Sequence, residues 1–307
     1  MISVIVPTFN ESGNIDQLAG EVSATLKEDY EIIFVNDGSD DDSLAKVKEL
    51  GNKNKSVKYV SFSRNFGHQA ALRAGLAYAK GDAVISMDAD LQHPPALVPE
   101  LIAKWREGFD IVYTIRKETD GTGLAKRLTS KWFYKTINFV ADLHIEEGTA
   151  DFRLLDRKVV DVINVQQESD LFMRGYINWI GFNRIGIPYV PAKRFSGHSK
   201  YTLKKMFSFA SHGVTQFSIK PLRLAHVFAS FAFFLSFVYI LYAIAMAASG
   251  KTIPGWLSLV ILFVFMQGVQ FLLLGMIGEY LGRTFMQTKH RPEYIVAETN
   301  TSIAVRE

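Results

Sequence analysis

The stretch Ser86-Met87-Asp88-Ala89-Asp90-Leu91-Gln92 places two carboxylates directly after an apolar segment, residues 83–87. That segment has the length and composition of a buried strand, so both carboxylates are expected where the strand ends. Carboxylate oxygens are the ligands that Mg²⁺ or Mn²⁺ prefers, and a metal held there can neutralise a diphosphate group. An isolated Asp-x-Asp is more often a solvated turn, so its interpretation depends on the rest of the chain.

The first 113 residues alternate short apolar segments with helical patterns. Strands are predicted at residues 2–6, 31–35, 57–62, 83–87 and 111–113, and helices at 15–27, 43–51, 68–79 and 95–107. This alternation predicts an α/β fold with a mostly parallel sheet, which binds ligands at the carboxyl ends of its strands. The polar residues that follow the first four strands are Asn10, Glu11, Asp37, Arg64, Asn65, Asp88 and Asp90. We therefore expect these residues to share one site.

Two uncharged apolar runs, residues 227–248 and 256–277, each exceed the roughly 20 residues that a helix needs to cross a bilayer. The basic residues around them are Lys200, Lys204, Lys205, Lys220 and Arg223 before the first run, and Arg283, Lys289, His290 and Arg291 after the second. The positive-inside rule then predicts a multi-pass integral protein of the plasma (inner) membrane, with the main domain and both termini cytoplasmic. Gly268 and Gly275 in the second run are compatible with a homo-oligomer.

Composition and missing motifs exclude several classes of protein. A formal charge of +3 without a long basic run argues against a nucleic-acid partner, and the absence of cysteine excludes disulfides, thiolate catalysis and cysteine-bound zinc. No Gly-x-Gly-x-x-Gly follows a strand and no Gly-Lys-Ser/Thr loop occurs, which argues against dinucleotide oxidoreductases and P-loop NTPases. The chain starts directly with a strand pattern, so we expect no signal peptide.

Several motifs share the order and spacing of a known family. The first three are Val6-Pro7-Thr8-Phe9-Asn10-Glu11, Val35-Asn36-Asp37-Gly38-Ser39-Asp40 and Asp88-Ala89-Asp90-Leu91-Gln92-His93-Pro94-Pro95. This set resembles the inverting family 2 glycosyltransferases with the GT-A fold, a Rossmann-like, mostly parallel sheet. Further motifs are Gly148-Thr149-Ala150-Asp151-Phe152-Arg153-Leu154, Leu171-Phe172-Met173-Arg174-Gly175 and Arg194-Phe195-Ser196-Gly197-His198-Ser199-Lys200-Tyr201. They resemble the polyprenyl-phosphate hexosyltransferase branch, which includes bactoprenol glucosyltransferases and dolichol-phosphate mannose synthases.

The resemblance implies a GT-A catalytic domain followed by a C-terminal two-helix transmembrane hairpin. The expected parts are a cytoplasmic glycosyltransferase domain at 1–200, a juxtamembrane amphipathic helix and linker at 201–223, two transmembrane helices within 224–282, and a cytoplasmic tail at 283–307. The implied activity is metal-dependent transfer of one hexose, with inversion, from a nucleotide diphosphate sugar (UDP-glucose or UDP-N-acetylglucosamine) to polyprenyl (undecaprenyl) phosphate at the cytoplasmic membrane face. Two alternatives remain open: the same fold acting on a lipid or glycan hydroxyl, and a non-catalytic membrane protein that binds lipid phosphate.

The resemblance also assigns residues to roles. The nucleotide-sugar residues are Pro7, Asn10, Glu11, Asp37, Asp88 and Gln92; the metal ligands are Asp88 and Asp90, for Mg²⁺ or Mn²⁺; the catalytic residues are Asp90 and Asp151; and the lipid-phosphate residues are Arg116, Arg127, Arg194, Ser196 and Lys200.

Two of these residues, and His68 beside them, allow more than one interpretation. Asp151 is either a general base or an orienting group, with a structural ion pair to Arg153 or Arg157 as the alternative. Asp37 contacts the base or ribose, belongs to a turn that caps the next helix, or does both. His68 is interpreted as pocket wall or helix start.

Overall fold

The computed structural model describes residues 1–117, 146, 148–166, 168, 171–190, 218, 220–250 and 255–304. The elements in chain order are β1 (Ile2–Thr8), α1 (Ile15–Thr25), β2 (Tyr30–Asn36), α2 (Ser43–Lys53), β3 (Val57–Phe62), α3 (His68–Tyr78), β4 (Ala83–Ser86), α4 (Val98–Arg106), β5 (Ile111–Arg116), β6 (Thr149–Asp156), α5 (Arg157–Val165), α6 (Met173–Trp179), β7 (Arg184–Tyr189), α7 (Lys220–Ala248), α8 (Trp256–Thr288) and β8 (Val296–Thr299). Every strand and helix predicted in the first 113 residues overlaps an observed one, so the predicted α/β pattern is confirmed.

The strands of the described chain form one sheet, in the order β7-β5-β6-β4-β1-β2-β3-β8. Strands β1 to β4 pair in parallel, as do β5 and β7, whereas β6 runs antiparallel to β4 and β5, and β8 runs antiparallel to β3. The carboxyl ends of β1 to β5 therefore meet at one edge, which we call the carboxyl edge and define by Thr8, Asn36, Phe62 and Ser86. Strand β6 starts at this edge, because Thr149 pairs with Ile115 near the end of β5.

Helices cover both faces of the sheet, and each face has its own apolar core. Within β1, Val4 and Val6 belong to one core and Ile5 to the other, because successive side chains of a strand point to opposite faces. Since both faces are buried, the strands read as continuous apolar runs. Burial of one such side chain stabilises the fold by about 1.5–3 kcal/mol. These two cores hold the strand ends, and hence the loops that follow them, in fixed positions.

The two apolar helices predicted near the C-terminus are confirmed. Within α7 and α8, the segments Ala225–Ala248 and Leu259–Thr288 each contain an 18-residue window, of mean hydropathy 2.2 and 2.3, that is not buried inside the protein. Long, uncovered apolar helices of this kind are typical of a membrane anchor. The helices contact each other, and the hydroxyl of Tyr280 donates to the carbonyl of Ser218 at 2.8 Å. The predicted juxtamembrane helix, residues 201–217, lies outside the described residues, and the predicted domain boundaries stay predictions.

The chain returns from α8 to the α/β domain, which the sequence analysis did not predict. Val296 of β8 pairs with Phe62, and Thr299 pairs with Val60. Because Phe62 ends β3, the returning chain meets the sheet at its carboxyl edge. The side chain of Tyr294 stacks on Phe62, with ring centroids 5.0 Å apart.

Candidate active site

A cavity of about 400 Å³ lies at the carboxyl edge of the sheet. Of the residues predicted from the sequence, those that line it are Pro7, Glu11, Asp37, Asn65, His68, Asp88, Asp90 and Asp151. They come from the ends of β1 to β4 and from the starts of α3 and β6, so the sheet topology brings them together. Four other predicted residues that the structure describes, Asn10, Arg64, Gln92 and Arg116, do not line the cavity.

Asp37 follows β2 and fastens the loop before α3. Its buried carboxylate accepts the backbone N–H groups of Phe66 at 2.6 Å and Gly67 at 2.9 Å. Burial raises the pKa of Asp37, and those two hydrogen bonds offset this only in part. The alternative that Asp37 caps the next helix is wrong, because its carboxylate bonds to the loop before α3 rather than to α2.

The neighbouring glycine explains how closely these two loops approach. Gly38 has a φ of +66°, which favours glycine, and a Cβ added there would lie 2.4 Å from the backbone carbonyl carbon of Arg64. No other residue fits this contact without displacing the loop that Asp37 holds.

Asn10 and Glu11 tie the loop after β1 to the loop after β2. Asn10 donates its N–H to Ser39 Oγ at 3.0 Å and accepts the N–H of Asp40 at 2.9 Å, while Glu11 donates its N–H to Ser43 Oγ at 3.0 Å. Asn10 adopts a φ of 56°, which asparagine tolerates better than most residues. In this arrangement Asn10 shapes the cavity rim, and Glu11 contributes to its wall.

Asp88 and Asp90 follow β4 on a short turn. The N–H of Asp88 donates to Nδ1 of His93 at 3.0 Å, and His93 is itself buried and stacked on Phe152. Asp90 accepts the N–H of Gln92 at 3.1 Å, so Gln92 contributes its backbone to the turn. These contacts hold both carboxylates toward the cavity.

The two carboxylates fit a divalent metal whose remaining coordination positions the substrate would fill. In the described part of the chain, no group of three or more histidine, aspartate or glutamate residues could hold a metal by itself. Mg²⁺ is often bound by one or two carboxylates together with waters and substrate phosphates. Asp88 and Asp90 would therefore hold Mg²⁺ or Mn²⁺ jointly with the oxygens of a bound diphosphate.

Asp151 is the most strongly paired carboxylate in the cavity. Arg174 donates to it through Nε at 2.8 Å and Nη2 at 2.6 Å, and Arg153 donates to it through Nη2 at 2.8 Å. Burial by itself would raise the pKa of Asp151, but Arg174, with His68 and Arg153, outweighs burial and holds the pKa well below its ordinary value. The ion pair with Arg153 is present as the sequence alternative proposed, whereas Arg157 bonds instead to the carbonyls of Ala79 and Gly81.

His68 begins α3 and lies between two carboxylates. Its Nε2 is 3.6 Å from Asp88 Oδ1 and 3.7 Å from Asp151 Oδ2. Desolvation acts against the charged imidazole, but Asp151 and Asp88 prevail and raise the pKa of His68. The prediction that His68 forms a pocket wall and a helix start is confirmed.

The comparisons with known proteins identify the family. The model of glycosyl transferase family 2 matches residues 3–163. This chain belongs to glycosyl transferase family 2. It is therefore a glycosyltransferase, and the cavity described above is its candidate active site. A second model, the GtrB C-terminal hairpin, matches residues 220–284, which include α7 and most of α8.

Relatives match this glycosyltransferase over nearly its whole length. The uncharacterized glycosyltransferase YkcC of Bacillus subtilis (strain 168) is 42% identical over 97% of this chain and 93% of its own. The bactoprenol glucosyl transferase of Shigella phage SfV is 40% identical over 96% of this chain and 97% of its own. Similar solved structures include glucosyl-3-phosphoglycerate synthase of Mycobacterium tuberculosis in complex with Mn²⁺, UDP and glucosyl-3-phosphoglycerate, at 22% identity and a TM-score of 0.44 over 70% of this chain and 77% of that one.

Two residues of this glycosyltransferase site were missed in the sequence analysis. Arg174 lines the cavity, although the only signal for it was its place in the motif at residues 171–175. His93 supports the Asp88 backbone and belongs to the motif at residues 88–95. The role of Arg174 is not visible in the sequence, because the fold brings Asp151 to it from another element, whereas the role of His93 depends on the conformation of its own turn.

The predicted lipid-phosphate residues fall mostly outside the described part of the glycosyltransferase. Arg116 is exposed at the end of β5, where its N–H donates to the carbonyl of Gly148 at 2.9 Å. It therefore lies at the carboxyl edge, beside the cavity rather than in its lining. The other four, Arg127, Arg194, Ser196 and Lys200, lie outside the described residues.

Proposed function

We propose that this glycosyltransferase moves one glucose unit, with inversion, from UDP-glucose to a polyprenyl phosphate such as undecaprenyl phosphate at the cytoplasmic face of the membrane. The observation that carries the proposal is the position of the cavity relative to the hairpin. Helix α8 ends at Thr288, and β8 begins at Val296 against the carboxyl edge. The intervening chain can span no more than about 30 Å, so the cavity lies within reach of a lipid-borne acceptor.

The names of relatives support the choice of sugar and acceptor. Shigella phage SfV has a bactoprenol glucosyl transferase that aligns with both the catalytic domain and the hairpin of this chain. Bactoprenol is a polyprenyl lipid, and the hairpin supplies the membrane attachment that such an acceptor requires. We infer glucose as the sugar and a polyprenyl phosphate as the acceptor on this basis.

The residues of the cavity have complementary roles in this reaction. Asp37 and Glu11 hold the nucleotide end of the donor, and Asp88 and Asp90 bind beside its diphosphate. A divalent metal bound to these two aspartates would neutralise charge on the departing nucleoside diphosphate. Arg116 approaches the acceptor phosphate, since a guanidinium forms two parallel hydrogen bonds with phosphate oxygens.

The acceptor needs no general base. A phosphate monoester has a second pKa near 6, so it is mostly a dianion at neutral pH. One of its oxygens attacks the anomeric carbon while the bond from that carbon to the diphosphate oxygen breaks, which inverts the configuration. Asp151 is poorly suited to accept a proton, because its pKa is held well below its ordinary value. It acts instead as an orienting group, and this favours a phosphate over a hydroxyl acceptor.

The test is turnover by the full-length protein, purified in detergent. It would receive undecaprenyl phosphate, Mg²⁺ or Mn²⁺, and UDP-glucose, UDP-N-acetylglucosamine or GDP-mannose in separate reactions. We expect one UDP released for each glucosyl phospholipid formed. Transfer only to lipid or glycan hydroxyls would replace the proposed acceptor, and nucleotide binding without any transfer would support the non-catalytic alternative.

A further inference from the structure

Arg174 has a rigid position beside the candidate active site. It lies in the first turn of α6, where Met173 donates its N–H to the side chain of Gln69 at 3.3 Å. Met173, Tyr176 and Ile177 are buried in the core that α6 shares with α3 and α5. The backbone that carries Arg174 is therefore fixed against the helix that begins with His68.

The contact between Arg174 and Asp151 is a side-on fork. Nε approaches Oδ1 at 2.8 Å and Nη2 approaches Oδ2 at 2.6 Å, so both carboxylate oxygens are held at once. Two parallel bonds fix the plane of the carboxylate as well as its position. Lysine cannot reproduce this geometry, because it provides a single point charge on a flexible stem.

The Arg174–Asp151 ion pair lies where it can contact a substrate as well as stabilise the fold. An ionised carboxylate has about four acceptor positions, of which Arg174 takes two and Arg153 one. The fourth is on Oδ2, where His68 Nε2 lies 3.7 Å away, beyond direct hydrogen-bond distance. Asp151 and Arg174 both line the cavity next to Asp88 and Asp90. An ion pair that served only to stabilise the core would gain nothing from such a position, since buried ion pairs are often replaceable by apolar residues.

We propose that Arg174 is a positioning residue that fixes the Asp151 carboxylate so that it accepts a hydrogen bond from a hydroxyl of the donor sugar. This inference rests on the proposed function for the identity of the donor, but it does not depend on the acceptor. Arg174 acts through Asp151, so removing either partner should have the same consequence.

The experiment is a double-mutant cycle of Arg174→Gln and Asp151→Asn in the full-length protein. Each single variant should lower kcat about 100-fold, the usual effect of a reacting group misplaced by about 1 Å. The double variant should be no more than about threefold slower than Asp151→Asn, because residues that act as a unit are not additive. In calorimetric titrations with Mn²⁺, each variant should bind UDP-glucose more weakly than the wild type while its affinity for UDP is unchanged.

Controls separate the possible failures. Arg73→Gln removes a half-buried arginine that pairs with Glu293 outside the cavity, and it should leave the ratio of UDP-glucose to UDP affinity unchanged. Retained UDP binding shows that a variant is folded. Multiplicative losses in the double variant, or an unchanged affinity ratio in Arg174→Gln, would overturn the inference.

The titrations distinguish this inference from the proposed function. If the wild type binds UDP-glucose but does not glucosylate polyprenyl phosphate, the acceptor assignment fails and the affinity ratios still test Arg174. If it binds neither UDP-glucose nor UDP, both the proposed function and this inference are wrong.

Discussion

At the residue scale, three aspartates that line one cavity differ in their hydrogen-bond partners, and these partners determine what each carboxylate can do. Among the described residues, Asp37 accepts hydrogen bonds from backbone N–H groups, and burial raises its pKa. Asp151 is buried as well, but two arginines lower its pKa far enough to make it a poor base. Asp90 accepts a turn N–H and faces the cavity, as a metal ligand should. Surroundings rather than residue type assign the roles.

Replacing Asp90 with asparagine tests the metal assignment. Asp90→Asn keeps the side-chain shape but removes one of the two negative charges that would bind the cation, so turnover should fall at least about 100-fold, as it does when one electrostatic contact to a reacting centre is lost. The measurement is rate as a function of Mn²⁺ concentration. Asp110→Asn, which removes a carboxylate paired with Lys158 away from the cavity, is the matched control. Wild-type metal dependence in Asp90→Asn would remove this residue from the metal site.

The pH dependence of the reaction distinguishes orientation from base catalysis. Because the pKa of Asp151 is lowered, the stability that its ion pairs contribute is present above about pH 4 and is lost only as the pH falls through the lower folded pKa. Asp151 thus stays ionised from pH 5 to 8, and the acidic limb of kcat/KM should follow the acceptor phosphate near about pH 6. Asp151→Asn should lower the plateau without moving that limb. Disappearance of the limb in this variant would identify Asp151 as a base.

At the element scale, β8 pairs along the side of β3, which would otherwise be an outer strand of the sheet with an unpaired edge. Unpaired strand edges invite pairing with other chains, and here four residues from beyond the membrane helices occupy the edge. The segment is tied down further by Lys48, which pairs with Glu298 at 2.6 Å, and by Arg73, which pairs with Glu293 at 2.8 Å. The C-terminal segment is therefore part of the catalytic domain's structure.

The side chain of Asn300 links the segment after β8 to β3, so replacing it tests how much this attachment contributes to stability. Its side chain accepts the N–H of Tyr59 at 2.7 Å and donates to the carbonyl of Val57 at 3.4 Å. Asn300→Ala should lower the free energy of unfolding by about 0.5–1.5 kcal/mol, because it removes these hydrogen bonds between β3 and the segment after β8. Thermal unfolding of the purified protein measures this loss. Ile303→Ala, at an exposed position of the same segment, should change stability far less, and equal effects of the two variants would argue against the role of Asn300.

At the scale of the whole molecule, a short connection joins the hairpin to the carboxyl edge of the catalytic domain. The connection from Thr288 to Val296 is short, and Val296 pairs with the last residue of β3. The loops that follow β1, β2 and β4 open at the same edge. In the proposed reaction, this arrangement would let a lipid phosphate at the membrane surface and a nucleotide sugar meet in one cavity.

Lengthening this connection should weaken use of the lipid acceptor alone. Insertion of ten glycine and serine residues after His290 leaves β8 intact but increases the reach of the domain. The effective concentration of a tethered site falls roughly as the −3/2 power of tether length, so KM for polyprenyl phosphate in vesicles should rise about fourfold. The affinity for UDP-glucose should not change. An equal insertion after Asn183, between α6 and β7, is the control, and an unchanged KM with the first insertion would exclude a positioning role for the connection.

Local patterns in the sequence determined the α/β class, the two membrane helices and most of the cavity. Apolar strands flanked by helices imply parallel pairing, and parallel pairing by itself brings the ends that carry Asp37, Asp88 and Asp90 to one edge. Only the tertiary structure decided the environment of Asp151, since Arg174 reaches it from a separate helix, and only the tertiary structure revealed β8, whose four residues carry no strand signal of their own. Local periodicity reports which face of an element is buried. It does not report which distant side chain lies opposite, and that contact is what lowers the pKa of Asp151.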